Sequence, residues 1–259
     1  MMTTLPFDQR MPQWIDEQQT PWGRLKYALT RANLQRHLGH APLRILDAGG
    51  GNGVDAIPLA QDGHLLDLLD ASPAMLAHAA ASAAAAGITE RMGIHEGEII
   101  ALGAQWPPAT FDLVLCHNVL QYIPDAATFL DALGSVLKTA GLLSLISINR
   151  YSLPYQAAFL DGDLATAYAK LDQTQDTARI FQTPMQVYTP EELSTLLAQH
   201  GYRVVAYYGI RCLCDYWGDN TRKTDPATFA DLQRLEFALT DRHPYNLLAR
   251  YLHIIAAKE

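Results

Sequence analysis

Three consecutive glycines between two acids constrain the fold of this chain more than any other feature. Residues 44–53 read RILDAGGGNG, so a short apolar stretch ends at Asp47 and a glycine loop follows it. A second apolar stretch, residues 65–70, also ends in an acid, Asp70. Glycine lets the backbone approach a ligand closely, and a helix that starts after such a loop begins over that ligand. The pattern predicts a cofactor site at the carboxyl edge of a parallel sheet.

The acids, not the glycines, indicate which cofactor binds. Read from Gly51, the loop also satisfies the dinucleotide pattern G-x-G-x-x-A, so glycines alone do not decide. A carboxylate at Asp47 would repel a pyrophosphate and attract an ammonium or a sulfonium. The two oxygens of Asp70 could accept both hydroxyls of a ribose. Either acid alone could instead cap a turn or the helix that Ser72 opens, but the pair favours S-adenosylmethionine.

Apolar and helical stretches alternate along most of the chain, which predicts an α/β fold. The predicted strands are 43–47, 65–70, 93–95, 111–116, 142–148, 202–210 and 251–257. The predicted helices are 21–38, one starting near Val54, 73–86, 126–137, one opened by a capping box at residues 189–192 and closed by Gly201, and 226–240. We therefore expect a doubly wound, seven-stranded, mostly parallel sheet in one domain, residues 1–259. Residues 1–40 would form an N-terminal cap helix over the cofactor, and residues 150–186 a lid or substrate insertion after strand 5.

Composition limits the classes of function. A net charge of −8 counts against extended contact with nucleic acid, although it leaves room for a local basic patch. No apolar run approaches the roughly 20 residues of a membrane span, and the N-terminus has no signal-peptide pattern. We therefore expect a cytoplasmic protein without a membrane partner. The 3 cysteines predict no disulfide framework, and no histidine has metal-ligand spacing.

Over nearly its whole length the chain resembles the class I S-adenosylmethionine-dependent methyltransferases. The resemblance is carried by LDAGGGNG (46–53), DAS (70–72), GE (97–98), FDLV (111–114) and HNVLQY (117–122). It implies a Rossmann-like fold and S-adenosyl-L-methionine as cofactor. The cofactor-binding residues that it implies are Lys26, Asp47, Gly49, Gly50, Gly51, Asp70, Ala71, Glu98, Ile99 and His117.

A narrower resemblance is to the bacterial tRNA 5-carboxymethoxyuridine carboxyl methyltransferases. It rests on GRLK (23–26), His117, GIR (209–211), DY (215–216), PY (244–245) and RYLH (250–253). This family methylates a carboxylate of a modified uridine in tRNA. The resemblance makes tRNA the leading candidate acceptor, with a small acidic or aromatic metabolite as the alternative.

We expect the protein to act mainly by positioning the methyl donor and the acceptor. A carboxylate acceptor needs no base, whereas a phenol or an amine generally does. No Asp/His or Glu/His pair is evident in the sequence, which favours an acceptor that is already nucleophilic. Cationic or aromatic side chains that could contact an acceptor are Tyr122, Arg150, Tyr151, Tyr188, Arg211 and Arg250. The catalytic candidates are His117, Tyr122, Arg211 and Arg250. An NAD-dependent oxidoreductase and a catalytically silent cofactor-binding subunit remain alternatives from other classes.

Overall fold

The computed structural model describes residues 5–259, with side chains from residue 7 onward, and consists of one large sheet with helices on both faces. The helices are α1 Leu5–Gln19, α2 Pro21–Gln35, α3 Ala56–Gln61, α4 Pro73–Ala85, α5 Leu102–Gln105, α6 Ala126–Val136, α7 Ser152–Phe159, α8 Leu164–Ala169, α9 Pro190–Gln199, α10 Asn220–Lys223 and α11 Pro226–Leu239. The strands are β1 Arg44–Ala48, β2 Leu65–Asp70, β3 Met92–Glu96, β4 Phe111–His117, β5 Leu137–Ile148, β6 Gln175–Thr177, β7 Pro184–Gln186, β8 Tyr202–Ile210 and β9 Tyr251–Lys258. Within residues 5–259 no helix is long and apolar enough to cross a membrane.

The main sheet has seven strands in the order β3-β2-β1-β4-β5-β9-β8. The first five are parallel, whereas β9 runs antiparallel to both β5 and β8. The order reverses between β1 and β4, and in such sheets ligands bind outside the carboxyl ends of the strands at this point. The predicted doubly wound, seven-stranded sheet is confirmed.

Local sequence explains where several helices begin. The side chain of Ser72 accepts a hydrogen bond from the amide of Met75 and caps α4, with Pro73 in its first turn. Thr189 and Glu192 form the predicted capping box of α9. Helix α2 starts after Thr20, whose side chain accepts from the amide of Gly23. These caps orient the helices that flank the sheet.

Two segments differ from the sequence-based interpretation. Helix α1 was not predicted as an element separate from α2. Helix α2 itself is part of the core, since Leu25, Leu29 and Leu34 are fully buried between it and the sheet. The segment 150–186, for which no helix or strand was predicted, contains two helices and the small antiparallel ribbon of β6 and β7.

The three cysteines are free and buried. Burial raises the pKa of each thiol, and that of Cys214 to about 12. Because the thiolate is the reactive form, these thiols are chemically inert near neutral pH.

Candidate active site

A cavity of about 750 Å³ lies at the carboxyl ends of the strands, where the order of the sheet reverses. The structure brings the cofactor residues implied by the sequence, and three of the acceptor candidates, to the wall of this one cavity. They are Lys26, Asp47, Gly49, Gly50, Gly51, Asp70, Ala71, Glu98, Ile99, His117, Tyr122, Arg211 and Arg250.

The glycine loop takes a shape that other residues would resist. Gly49, Gly51 and Gly53 have φ values of +76°, +53° and +78°, in the left-handed region that favours glycine. A Cβ atom on Gly50 would lie 2.6 Å from the Asp47 carboxylate, so glycine is required there for space as well. The amide of Gly51 donates to Asp70 Oδ2 at 2.9 Å, which ties the loop to the end of β2.

Asp47 is a buried carboxylate with an unused acceptor. The residue is only 2% exposed, and its Oδ2 atom has no hydrogen-bond partner among the described residues. Burial, and then the charges of Asp55 and Asp70, raise its pKa well above the ordinary value. A buried carboxylate in this condition indicates that a cationic or hydrogen-bond-donating group completes the site.

Lys26 of α2 is the cationic counterpart of Asp47. It is 3% exposed, and its Nζ atom has no hydrogen-bond partner in the part of the chain that the structure describes. Instead the ammonium lies 5.3, 5.1 and 4.7 Å from the ring centres of Trp14, Tyr27 and Tyr251. Burial lowers the pKa of Lys26. An anion bound at the ammonium would offset the free-energy cost of removing this charge from water.

The part of the cavity wall that comes from the segment between β8 and β9 is basic, and we call it the basic end. Arg211, Lys223 and Arg250 line it together with one acid, Asp215. Arg211 forms a bidentate ion pair with Asp215, so its charge is already neutralised. Among residues 7–259 no acid pairs with Lys223 or Arg250 at ion-pair distance. Two cations therefore remain available to an anionic ligand at this end.

Tyr251 lies at the centre of these cations. Its ring centre is 4.7 Å from the Lys26 ammonium, 5.5 Å from the Arg211 guanidinium and 5.8 Å from that of Arg250. Burial alone would raise the pKa of Tyr251, but the charges of Arg211, Lys26 and Arg250 outweigh burial and lower it. The lowered pKa follows from the three cations that surround the ring.

A buried glutamate shapes the loop that carries Arg211. Glu236 of α11 is fully buried and accepts three backbone hydrogen bonds, from the amides of Cys212, Leu213 and Cys214 at 2.6, 2.9 and 2.7 Å. Arg211 itself has a φ value of +62°, an unusual conformation for a residue with a side chain. The three bonds hold the loop in place beyond this strained residue.

His117 forms the acid–histidine pair that the sequence did not reveal. Its Nδ1 atom lies 3.0 Å from Asp55 Oδ2, and both residues line the cavity. The pair was not evident in the sequence, because the partners are 62 residues apart and meet only where the end of β4 lies beside the start of α3. The other nitrogen, Nε2, lies 2.9 Å from the hydroxyl of Ser144, so neither ring nitrogen is free for a substrate.

Three of the proposed acceptor contacts lie elsewhere. Arg150 pairs with Glu192 at 2.6 Å, and the hydroxyl of Tyr151 donates to Glu191. Tyr188 packs against the main core cluster. None of the three is among the residues that line the cavity. The sequence suggested them because an arginine or a tyrosine near the insertion could contact an acidic or aromatic acceptor. In the structure Arg150 and Tyr151 instead bond to the two glutamates in the first turn of α9.

Sequence reasoning also missed residues that line the cavity. Asp55 follows the glycine loop directly, so its position beside the loop could have been anticipated. Lys223 has no local signal, because the fold of the segment after β8 brings it to the cavity. Asp215 and Asn118 were named only within the motifs of the two resemblances and were not among the predicted site residues. Asn118 lies at the end of β4 with a φ value of +60°, in the left-handed region.

Helix α1 and the insertion form the roof of the cavity. Phe7 of α1 lies 4.7 Å from Phe181 and 5.2 Å from Tyr122, measured between ring centres. Gln18, at the other end of α1, exchanges two side-chain hydrogen bonds with Asn52 of the glycine loop. The roof therefore contacts both the glycine loop and Tyr122 on the cavity wall. Within residues 5–259 no group of three or more metal-ligating side chains is present.

Known proteins resemble this chain in both sequence and fold. The family model described as a methyltransferase domain matches residues 40–212. The tRNA 5-carboxymethoxyuridine methyltransferase of Escherichia coli K12 is 30% identical over 244 residues, covering 92% of this chain and 90% of that protein. A ubiquinone biosynthesis O-methyltransferase of Xylella fastidiosa is 27% identical over 204 residues, covering 78% and 76%. In fold, an S-adenosylmethionine-dependent methyltransferase from Thermotoga maritima matches with a TM-score of 0.68 at 14% identity, covering 99% of this chain and 100% of that one.

Proposed function

Because this chain belongs to the S-adenosylmethionine-dependent methyltransferases, we propose that it methylates the carboxylate of 5-carboxymethoxyuridine in tRNA. One observation carries the proposal: the cavity wall combines three acids at and beside the glycine loop, Asp47, Asp55 and Asp70, which we call the acidic end, with the cations of the basic end. A cationic methyl donor suits the first, and an anionic acceptor suits the second. The relative from Escherichia coli, which covers most of the chain, supports the identity of the acceptor.

The acidic end fits the cofactor. The unpartnered Asp47 Oδ2 and Lys26 Nζ would hold the ammonium and the carboxylate of its methionine part. Each oxygen of Asp70 accepts one backbone amide, at 2.9 Å, and keeps a lone pair for a ribose hydroxyl. When bound, the cofactor supplies a methyl group that its sulfonium has already activated for in-line displacement.

The basic end would hold the acceptor carboxylate. Arg250 and Lys223 have no acidic partner in the described chain, whereas Asp215 occupies Arg211. Arg211 therefore acts indirectly, by fixing the position of Asp215. Arg250 presents a planar guanidinium, which can bind both oxygens of a carboxylate.

Positioning is then the main contribution of the protein. A carboxylate is ionised at neutral pH, so the reaction needs no base. Holding donor and acceptor in line accounts for about 7–11 kcal/mol of a barrier in well-oriented systems. The roof of α1 and the insertion would exclude water that otherwise weakens both charge interactions.

Nucleoside analysis tests the proposal directly. Purified protein is incubated with methyl-labelled cofactor and tRNA that carries unmethylated 5-carboxymethoxyuridine, and the digested nucleosides are weighed by mass spectrometry. The proposal expects a labelled methyl ester at that uridine, and its absence with substrate of verified composition would refute the tRNA assignment. Arg242→Gln, a change to an exposed arginine outside the cavity, serves as a control beside Arg250→Gln.

Methylation of a hydroxyl on a small aromatic acid is a second candidate. The Asp55–His117 pair at the cavity wall supports it, because a phenol must lose a proton, and several relatives are ubiquinone biosynthesis O-methyltransferases. Both nitrogens of His117 are engaged, so Asp55 would have to accept the proton. Labelled methyl appearing in a metabolite extract, but not in tRNA, would favour this candidate.

A further inference from the structure

A row of buried polar side chains runs from the cavity into the interior of the sheet. Asp55 Oδ2 lies 3.0 Å from His117 Nδ1, His117 Nε2 lies 2.9 Å from Ser144 Oγ, and Ser144 Oγ lies 3.0 Å from His253 Nε2. The three residues beyond Asp55 lie on the adjacent strands β4, β5 and β9. We call these four residues the polar row. The row ends at His253 Nδ1, which is buried without a partner in the described chain.

The row has one arrangement of hydrogens that satisfies all its bonds. A hydrogen on His253 Nδ1 would be a buried donor without an acceptor, so the hydrogen belongs on Nε2 and is donated to Ser144. Ser144 then donates its own hydrogen to His117 Nε2. His117 consequently carries its hydrogen on Nδ1 and donates it to Asp55 as a carboxylate. The reverse order would leave a lone pair of His117 facing the carboxylate, and this contact is repulsive.

The consequence is a negative charge that is fixed at the cofactor end. Asp55 lies at the start of α3, directly after the glycine loop, and its charge acts on Lys26, Tyr27 and Asp47, all of which line the cavity. The cofactor carries a positive sulfur before the reaction, and the product S-adenosylhomocysteine carries a neutral one. An anion held at this end therefore interacts with the two ligands differently.

We propose that Asp55, held ionised by His117, Ser144 and His253, makes the cavity discriminate between the cationic cofactor and its neutral product. Asp55 is the specificity-determining residue, and Ser144 is a positioning residue that acts through His117. The inference deepens the cofactor half of the proposed function. It does not depend on which acceptor is used, because it concerns ligand binding without an acceptor.

The experiment measures dissociation constants for three ligands by titration calorimetry. They are S-adenosylmethionine, S-adenosylhomocysteine and sinefungin, an analogue with an amine in place of the methylated sulfur. The readout is the dissociation constant of S-adenosylhomocysteine divided by the dissociation constant of each cationic ligand. A merely damaged pocket weakens all three ligands and leaves this ratio unchanged.

We expect Asp55→Asn to lower both ratios about tenfold, the order that one charge interaction supplies in a partly buried site. Ser144→Ala should lower them about threefold, since two of the row's bonds are lost. Ser147→Ala is the matched control, because Ser147 lies on the same strand, is 0% exposed like Ser144, and has no hydrogen-bond partner in the described chain. It should leave the ratios unchanged.

Two results would overturn the proposal. Unchanged ratios in Asp55→Asn would remove Asp55 as the source of discrimination, and equal ratios in the two serine variants would remove the polar row. If Asp55→Asn does not fold, nitrogen NMR decides, because His117 must carry its hydrogen on Nδ1 in the wild type and lose that preference in Ser144→Ala. A wild-type protein that binds none of the three ligands would instead refute the cofactor assignment.

Discussion

At the scale of single residues, the unpartnered polar atoms of the cavity are the most informative feature. Asp47 Oδ2 and Lys26 Nζ are buried without hydrogen-bond partners in residues 7–259. Buried polar groups in folded proteins almost always have partners. Two exceptions of opposite charge in one cavity indicate a ligand that brings both a cation and an anion.

Lys26→Met should separate stability from binding. Burial lowers the pKa of Lys26, which means that the empty site disfavours the ammonium, so an uncharged side chain of similar length should leave the melting temperature equal or higher. The same change should weaken S-adenosylhomocysteine binding at least tenfold, because about 1.5–3 kcal/mol of charged hydrogen bonding is lost. Thermal unfolding and calorimetry check the two effects. Unchanged affinity would exclude Lys26 from the carboxylate contact.

Binding of a cationic cofactor analogue should depend on pH through Asp47. Its raised pKa in the empty protein means that a proton is held at pH values where a free carboxyl has lost it. This group's contribution to stability therefore declines as pH rises from its ordinary pKa toward the raised value. Affinity should change the opposite way and fall as pH falls through the raised pKa. Titrations of the wild type with sinefungin at several pH values should show this loss of affinity at low pH. In Asp47→Asn the affinity should depend less on pH, because the carboxyl group of Asp47 is absent.

Arg250→Gln should affect the acceptor and not the cofactor. Losing a charge-assisted contact of about 1.5–3 kcal/mol should raise the acceptor KM by roughly 10- to 150-fold. Affinity for S-adenosylhomocysteine should stay unchanged, and Arg242→Gln should change neither. Steady-state kinetics with a fixed, saturating cofactor concentration measure the effect. A lower kcat at unaltered KM would argue against a role in acceptor binding.

At the scale of elements, the strands of the sheet were predictable, whereas the roof was predictable only as two segments, without its individual helices and strands. Six of the seven strands of the main sheet were anticipated within one residue at each end, because buried strands are short apolar runs bounded by Gly, Pro or Asp. Strand β5 begins at Leu137, five residues before the predicted start, because residues 137–141 carry little apolar pattern. The capping box at Thr189 likewise located α9. Helix α1 escaped detection since its sequence is mostly polar and includes Pro12, so its apolar side chains give no clear helical period. It acquires its role by packing on the insertion and by contacting the glycine loop through Gln18.

The same limit applies to the site. The residues on strand ends and the glycine loop were anticipated, because a parallel sheet brings carboxyl ends together regardless of loop details. The Asp55–His117 pair and the Arg211–Asp215 pair were not, since each depends on the path of a connecting segment. Local pattern predicts scaffolds better than it predicts side-chain partners.

Deleting residues 1–19 tests whether α1 contributes to cofactor binding as part of the roof of the cavity. The deletion removes the Gln18 contact with the glycine loop and the Phe7 contacts with the insertion, while α2 keeps its buried leucines in the core. Cofactor affinity should fall at least tenfold, and the sheet should stay folded by circular dichroism. Normal affinity in a folded truncation would show that α1 is dispensable for binding. A deletion that extended into α2 would confound the test, because α2 is part of the core.

At the scale of the whole molecule, charge is distributed unevenly. The net charge is −8, yet the basic end of the cavity concentrates Arg211, Lys223 and Arg250 around a single acid, Asp215. The field that attracts an anionic acceptor therefore comes from inside the cavity, and the overall charge would not steer a long polyanion.

This distribution predicts a shallow salt dependence. If tRNA is the acceptor, the logarithm of kcat/KM should fall with the logarithm of salt concentration with a slope of about −2 to −4, typical of a few phosphate contacts. The free nucleoside 5-carboxymethoxyuridine should show almost no slope. Turnover across a salt series measures both. A slope steeper than about −6 for tRNA would require an extended phosphate track that the charge distribution does not provide.

The three inert thiols make the chain ready for single-site labelling. The three thiols are buried and have raised pKa values, so a maleimide dye should not react with them in the folded protein. A cysteine introduced by Gln13→Cys, on the exposed side of α1, would then be the sole attachment point. Fluorescence from that position, recorded with and without ligand, would then report on the surroundings of α1 without a cysteine-free background.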